Sequence, residues 1–322
     1  MSYAFISNIV ALDIIWTACF GLSNFMTISH NPKSEKTPAG QRSRGLFIMD
    51  LDGTLLRSDR TFADPDLEAL RWLGDLNIVR TIATGRSLAS FNTVVIPALP
   101  VDYIIFSTGA GVMRYQSTEI IRTVHLEPHE VSQACDILRE RRLDFMVHRT
   151  IPNNHMFVYL RANEGNTDFE RRIELYRQFA LPLDSAVAEF GPATQLLAVV
   201  PPGQANAALE DVRKAMTDYN VIQTTSPLDG KSTWIEIFPA TVSKSQTAAW
   251  LADSLGVDSQ CIVSVGNDYN DLDLLEWSAS SYVVNNAPAD IKNRFACVAS
   301  NNNGGIAEAA ERWMEKQLKA QS

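Results

Sequence analysis

Residues 47–59 read FIMDLDGTLLRSD. With Leu46 in front, LFIM is a short apolar run that stops at an acidic turn, the pattern of a buried strand. Asp50 and Asp52 stand two apart at the end of that strand, so its period of two aims both carboxylates the same way. Gly53 then permits a sharp exit. Two carboxylates held this close repel, and a fold that keeps both ionised supplies a cation. An isolated Asp-Gly pair would read as an ordinary turn; here it closes a strand, at the edge where open α/β sheets bind ligands.

Outward from this stretch the rhythm is strand, helix, strand. ADPDLEALRWLGDLNI (63–78) is an amphipathic helix, with Asp64 as its expected cap, Pro65 in its first turn and an apolar stripe of Leu67, Leu70, Leu73 and Leu76. VRTIAT (79–84) and VDYIIFST (101–108) are the next strands, and GRSLASFNTVV starts a helix between them. The same alternation returns near the C-terminus. SKSQTAAWLADSLG runs as a helix from Ser243 to a Gly256 stop, followed by strand CIVSV, helix DLDLLEW, strand SYVV and a last helix from Gly305. This is the signature of a doubly wound parallel sheet. Residues 113–228 differ in character: charged helices alternate with the strand-like runs DFMVHR, HMFVYLR and QLLAVVPP, which predicts an inserted α+β cap. The expected division is an N-terminal extension over 1–45, a core over 46–112 and 229–322, and the cap between.

The 322 residues include 28 Lys+Arg and 37 Asp+Glu, a formal net charge of −9, with 46% apolar and 20% charged side chains. This composition excludes a collagen-like rod, a wholly disordered chain and a polytopic membrane protein. The acidic balance disfavours nucleic acid and anionic lipid as partners, so a negatively charged ligand must be held by local donors or a metal. Cys19, Cys135, Cys261 and Cys297 lack C-x-x-C spacing, which points to a reducing, cytoplasmic setting. His125 and His129 are four apart, but Pro128 between them argues against a shared helical face. Residues 3–28 are mostly apolar, yet Asp13, Asn8 and Asn24 interrupt them and the first basic side chain is Lys33. A disordered extension, a membrane-associated or exported segment and an extra helix all remain open readings of this part.

D-x-D-G-T at a first strand resembles the haloacid dehalogenase (HAD) superfamily of phosphatases, and three further motifs follow in that family's order. TIATGRS supplies Thr84, Gly85 and Arg86; IEIFPATVSKSQTA supplies Lys244; VSVGNDYNDLDLL supplies Gly266, Asn270 and Asp271, with Asn267 where the family usually carries an acid. The resemblance covers residues 46–322, and the insertion, NNAPADIK and SNNNGGIAEA look like the Cof-type, C2-capped (subclass IIB) branch. It implies a Rossmann-like α/β core with an inserted α+β cap.

The resemblance also implies roles. Asp50 attacks phosphorus to form an aspartyl-phosphate, and Asp52 serves as general acid and base. Thr84, Gly85, Lys244 and Asn270 bind phosphate; for Thr84 a plain strand-end cap is an equal reading. Lys244 follows a Ser243 cap at the positive end of a helix, where a cation is disfavoured unless an anion offsets it. Mg²⁺ is the expected cofactor, held by Asp50, Asp52 (through its carbonyl), Asn267 and Asp271, with Asp268 as an alternative ligand. His148, Arg149 and His155, with Arg161, are the cap candidates for reading the substrate; Glu236 is expected on a core strand, facing either way. Trp234 and Trp250 are read as packing residues. The expected function is hydrolysis of a small phosphorylated metabolite, a sugar phosphate first, with a phosphomutase and a non-catalytic phosphate-ligand sensor as alternatives. A dinucleotide site fails because TGAGVMR has Arg114 where the third glycine belongs. Oligomeric state is not legible.

Overall fold

The computed structural model describes residues 44–320 apart from Pro97 and residues 184–189. The apolar stretch 3–28 and the reading of it as an anchor or extension lie outside the described residues. In order, the elements are β1 (Gly45–Met49), α1 (Asp64–Asp75), β2 (Ile78–Ala83), α2 (Leu88–Phe91), β3 (Tyr103–Phe106), β4 (Gly111–Arg114), β5 (Glu119–Thr123), α3 (Pro128–Glu140), β6 (Asp144–His148), β7 (Phe157–Leu160) and α4 (Thr167–Leu175). There follow β8 (Ala180–Pro182), β9 (Gln195–Val200), α5 (Ala205–Ala215), β10 (Tyr219–Thr225), β11 (Thr233–Pro239), α6 (Lys244–Leu255), β12 (Ile262–Gly266), α7 (Leu272–Trp277), β13 (Ser280–Val284), α8 (Ala289–Lys292), β14 (Ala296–Val298) and α9 (Gly305–Ala320).

Alternation along β1 builds the first sheet's two faces. Phe47 and Met49 pack with α1 (Leu67, Leu70, Leu73) and with Trp313 of α9. Leu46 and Ile48 pack on the opposite side with Ala248 and Leu251 of α6 and Leu274 of α7. Helices therefore cover both faces, and β1 is apolar throughout because neither face meets water. The strand order is β14-β13-β12-β1-β2-β3-β4-β5, parallel from β14 to β3. The chain builds outward from β1 in one direction and later from β12 in the other, so the end of β1 lies at a topological switch point. The fold is the expected doubly wound α/β type. One cap differs in detail: Ala63, with no side-chain bond, sits at the α1 N-cap, and Asp64 is already helical.

The second sheet has the order β10-β11-β9-β6-β7-β8 and comes wholly from the chain between β5 and α6. The expected limits of 113 and 228 need correction at both ends. β4 and β5 form an antiparallel hairpin on the edge of the first sheet, and β11 pairs with β10 and β9 in the second. Glu236 therefore lies on the inserted sheet, not on a core strand. One face of this sheet buries Phe145, Val147, Leu196, Ala198, Ile235 and Ile237 beneath α3 and α5. The other carries Met146, Leu197, Val199 and Trp234 against α4. By the period of two, His148, Gln195 and Glu236 extend that second face.

Candidate active site

Asp50, Thr84, Ser107 and Asn267 immediately follow β1, β2, β3 and β12, so the C-terminal edge of the parallel strands gathers them from four segments. The backbone there is specialised. Gly53 has φ +75, and a Cβ on it would stand 2.7 Å from Nδ2 of Asn267. Gly109 has φ +109 and lets the Ser243 carbonyl approach within 2.4 Å of where a Cβ would be. No other residue permits both that angle and that approach. The contact, with the Thr247 hydroxyl donating to the Gly109 carbonyl at 2.8 Å, seats the start of α6 against the strand-end loop. Ser243 caps α6 by accepting from the Gln246 amide, and Lys244 is its first residue.

Lys244 is completely buried, and its ammonium reaches Oδ1 of Asp50 at 2.7 Å and Oδ1 of Asp271 at 2.6 Å. Burial alone would neutralise it, but Asp271 and then Asp50 outweigh burial and hold its pKa well above the ordinary lysine value. Asp50 is 5% exposed, and its pKa is pushed up as well, to about 7, by burial first and then by Asp271, with Lys244 opposing. Both shifts upward describe one cluster, in which a single ammonium does not balance three neighbouring carboxylates. Asp271 accepts from the amides of Asn267 (2.8 Å) and Asp268 (3.1 Å) with Oδ2. Asp271 thus holds Lys244 with Oδ1 and the 267–268 loop with Oδ2. Oδ1 of Asp268 accepts from the Tyr269 amide (2.8 Å) and from the Thr225 hydroxyl (3.3 Å).

Asp52 lies with its carboxylate in the fork of Arg86, Nε to Oδ2 and Nη2 to Oδ1. Arg86 is anchored in turn on Ser90, through both its carbonyl and its hydroxyl. Burial pulls Arg86 down, and the bonds to Asp52 raise its pKa above the ordinary value. Thr84 is buried and its hydroxyl accepts from the Arg86 amide at 3.1 Å, so it caps the turn while its own proton stays available. A Cβ at Gly85 would lie 3.6 Å from the Thr108 hydroxyl and 3.8 Å from Nδ2 of Asn270, which places these two polar groups beside the Thr84–Gly85 turn.

The Asn267 carboxamide tests the fit of a metal. Its outer atom, assigned as oxygen, lies 3.2 Å from Oδ2 of Asp50, 3.1 Å from the Asp52 carbonyl and 3.0 Å from the Thr54 hydroxyl. With nothing between these oxygens, the amide nitrogen belongs in that position and donates to all three. With a hard cation between them, the oxygen belongs there, and a carboxylate, a backbone carbonyl and a carboxamide are the donors Mg²⁺ takes. The residues fit the ion.

Of the cap candidates, His148 is buried on the inward face of the second sheet, 5.0 Å ring to ring from Phe157. His155 packs edge-on against Phe179. Arg149 does not join the site: one residue past His148, it is exposed and lies over Phe190 at 5.4 Å, toward the opposite face. Arg161 pairs with Glu170 on the surface. Sequence reasoning overlooked Thr108, whose hydroxyl donates to Glu236 at 3.1 Å, and Arg172, which stacks over Trp234 at 4.4 Å. Alternation along β11 places Trp234 with Glu236, but the helix that brings Arg172 there is a tertiary choice.

A model of the haloacid dehalogenase-like hydrolases matches residues 47–309. The chain belongs to this family. It is 24% identical over 292 residues to a putative phosphatase of Streptococcus pyogenes, covering 84% of this chain and 98% of that protein. It is also 24% identical to the 5-amino-6-(5-phospho-D-ribitylamino)uracil phosphatase YwtE of Bacillus subtilis, covering 81% and 95%. Among solved structures, a HAD-superfamily phosphatase from Bacteroides thetaiotaomicron superposes with a TM-score of 0.69 at 19% identity, over 88% of this chain and 99% of that one. In this HAD-family hydrolase the match spans both sheets, since it runs from within β1 to the start of α9.

Proposed function

We propose that the protein is a phosphatase that hydrolyses the phosphate monoester of a small hydroxylated metabolite through an aspartyl-phosphate on Asp50. The observation that carries this reading is the buried Lys244 ammonium shared between Asp50 and Asp271. It positions the Asp50 carboxylate and adds positive charge where a phosphoryl group accumulates negative charge. Thr84 and Asn270, with the backbone at Gly85, orient the phosphate oxygens. Asp52 gives a proton to the departing alkoxide and later takes one from the attacking water, and Arg86 sets its position between those events. Asp50 and Asn267 side chains and the Asp52 carbonyl would hold Mg²⁺, which when bound neutralises charge on the transferring phosphoryl group. The relatives' phosphatase names and the ribityl phosphate in one of them support the substrate class. A cytoplasmic setting belongs to the same reading and is supported by the unpaired Cys135, Cys261 and Cys297.

Phosphate release from p-nitrophenyl phosphate with Mg²⁺ present tests the proposal. Wild-type activity together with loss of turnover in Asp50→Asn, and a beryllofluoride adduct on Asp50, are expected. Activity that survives Asp50→Asn would overturn it.

A further inference from the structure

Two asparagine-rich stretches, NNAPADIK (285–292) and SNNNGGIAEA (300–309), take no part in the proposed chemistry, yet each sends a side chain to the turn that leaves β1. Asn286 lies in the loop after β13 and Asn301 in the loop after β14, so both stand at the same strand-end edge as Asp50 and Asn267. Nδ2 of Asn286 donates to the Gly53 carbonyl at 2.7 Å. Its Oδ1 accepts from the Asn301 amide at 3.0 Å. Asn301, 2% exposed, donates in turn from Nδ2 to the Leu56 carbonyl at 3.0 Å. Two linked carboxamides thus hold two carbonyls of one turn.

That turn carries a group of the proposed metal site. The peptide before Gly53 ends in the Asp52 carbonyl, which lies against the Asn267 carboxamide, and the peptide after it carries the carbonyl held by Asn286. Each peptide is planar, so only the two soft dihedrals of Gly53 separate the directions of these carbonyls. Glycine has the widest choice of those dihedrals, and its φ of +75 is kept only if something outside the turn selects it. Leu56 adds a second hold, because a single ladder bridge pairs it with Asp52. A Cβ on Gly53 would stand 2.7 Å from the Asn267 carboxamide nitrogen and 3.7 Å from that of Asn286, so the two carboxamides flank the residue. The residue type fits as well. A carboxamide donates and accepts at once, whereas a carboxylate at 286 could not donate to Gly53 and would add charge to a site already rich in carboxylates.

We propose that Asn286 and Asn301 are positioning residues for the metal site, fixing the Gly53–Leu56 turn and thereby aiming the Asp52 carbonyl at the cation. This rests on the reading of Asp50, Asn267 and the Asp52 carbonyl as Mg²⁺ ligands. It gives the loops after β13 and β14, which supply none of those ligands, a share in metal affinity.

The test uses the full-length protein with Mg²⁺ as the probe. Asn286 is exposed, so metal-free Asn286→Ala should unfold at nearly the wild-type temperature. Its affinity for Mg²⁺ by calorimetry should fall about tenfold or more. In phosphate release the Mg²⁺ concentration for half-maximal activity should rise accordingly, with most of the wild-type kcat recovered at saturating Mg²⁺. Hydrogen exchange over residues 51–57 should quicken in the metal-free variant. Asn302, which bonds to Ser58 beyond the turn, is the control, and Asn302→Ala should change neither affinity nor that exchange. Asn286→Ser, too short to span both partners, carries the same expectations as Asn286→Ala if the latter does not fold. Unchanged Mg²⁺ affinity or unchanged exchange over 51–57 in the position-286 variant would overturn the inference, as would an equal loss of affinity in Asn302→Ala. A wild type that bound no Mg²⁺ would instead sink the metal reading itself, and this inference with it.

Discussion

Arg86 holds Asp52 by both carboxylate oxygens, each at 2.7 Å. A carboxylate gripped this way is fixed in place, yet both of its oxygens are engaged. The grip matters most where the leaving group needs a proton. Asp52→Asn is therefore expected to lower turnover of an alkyl phosphate by about 10²–10⁴-fold. For p-nitrophenyl phosphate, whose phenolate leaves without protonation, the loss should be much smaller. Arg86→Met, by misplacing Asp52, should follow the same pattern with an alkyl-ester loss on the order of 10²-fold. Equal losses on both esters would contradict the assignment of Asp52.

Lys244 is the one cation bonded to both Asp50 and Asp271 among the described residues. Removing it leaves carboxylates buried without compensation, which costs roughly 3–5 kcal/mol for a broken buried pair. Lys244→Met should accordingly be inactive and should unfold at markedly lower urea than wild type when metal-free. Inactivity with unaltered unfolding would show that the cluster is not electrostatically strained in this way.

The upward shift of Asp50 makes metal-free stability depend on pH. Its folded pKa of about 7 exceeds its ordinary 3.8, so the stability it contributes is fully present below about pH 4 and is lost as pH rises through 7. His148 acts in the opposite sense: its folded pKa of about 3 lies below the ordinary 6.5, so its contribution is present above 6.5 and lost as pH falls through 3. The two oppose each other between about pH 4 and 6.5. Denaturant titrations in EDTA should show the stability of Asp50→Asn relative to wild type growing from pH 4 to 7 and levelling above. His148→Gln should lose stability with rising pH more steeply than wild type in the same window. A relative stability of Asp50→Asn that shrinks with pH would reverse the sign.

Asn267 lies against Asp50, Asp52 and Thr54 with a neutral carboxamide. Replacing it by Asp adds one negative ligand without changing shape, and ligand charge tunes affinity for hard cations. Asn267→Asp should bind Mg²⁺ about tenfold more tightly by calorimetry. It should also melt at lower temperature without metal, because a further carboxylate then faces Asp50. Unchanged affinity would remove Asn267 from the metal site.

What could be read from the chain follows the range of the interactions involved. The Asp50–Gly53 string, the Ser243 cap and the Gly256 stop are local signals, and the folded chain displays each where the sequence puts it. Sheet membership is not local. β4 and β11 are apolar runs that either sheet would accept, and only pairing with β3 or β9 decides between them. The same limit explains Arg149 and Arg172. Strand period separates His148 from Arg149 but does not say which face looks toward Asp50, and Arg172 gains its surroundings from rings on β7, β11 and the end of α4.

The hydrogen bonds Asn154–Ser107, Glu236–Thr108 and Thr225–Asp268 tie the inserted sheet to the loops at the catalytic edge. Each is worth about 0.5–1.5 kcal/mol, so separating the sheets there costs only a few kcal/mol in hydrogen bonding. Openings of that cost occur on microsecond-to-millisecond times. These bonds join the inserted sheet to the loops that carry Ser107, Thr108 and Asp268 beside Asp50 and Thr84. In the proposed phosphatase, strengthening any of them would slow the parting of the sheets and with it the exchange of substrate for product.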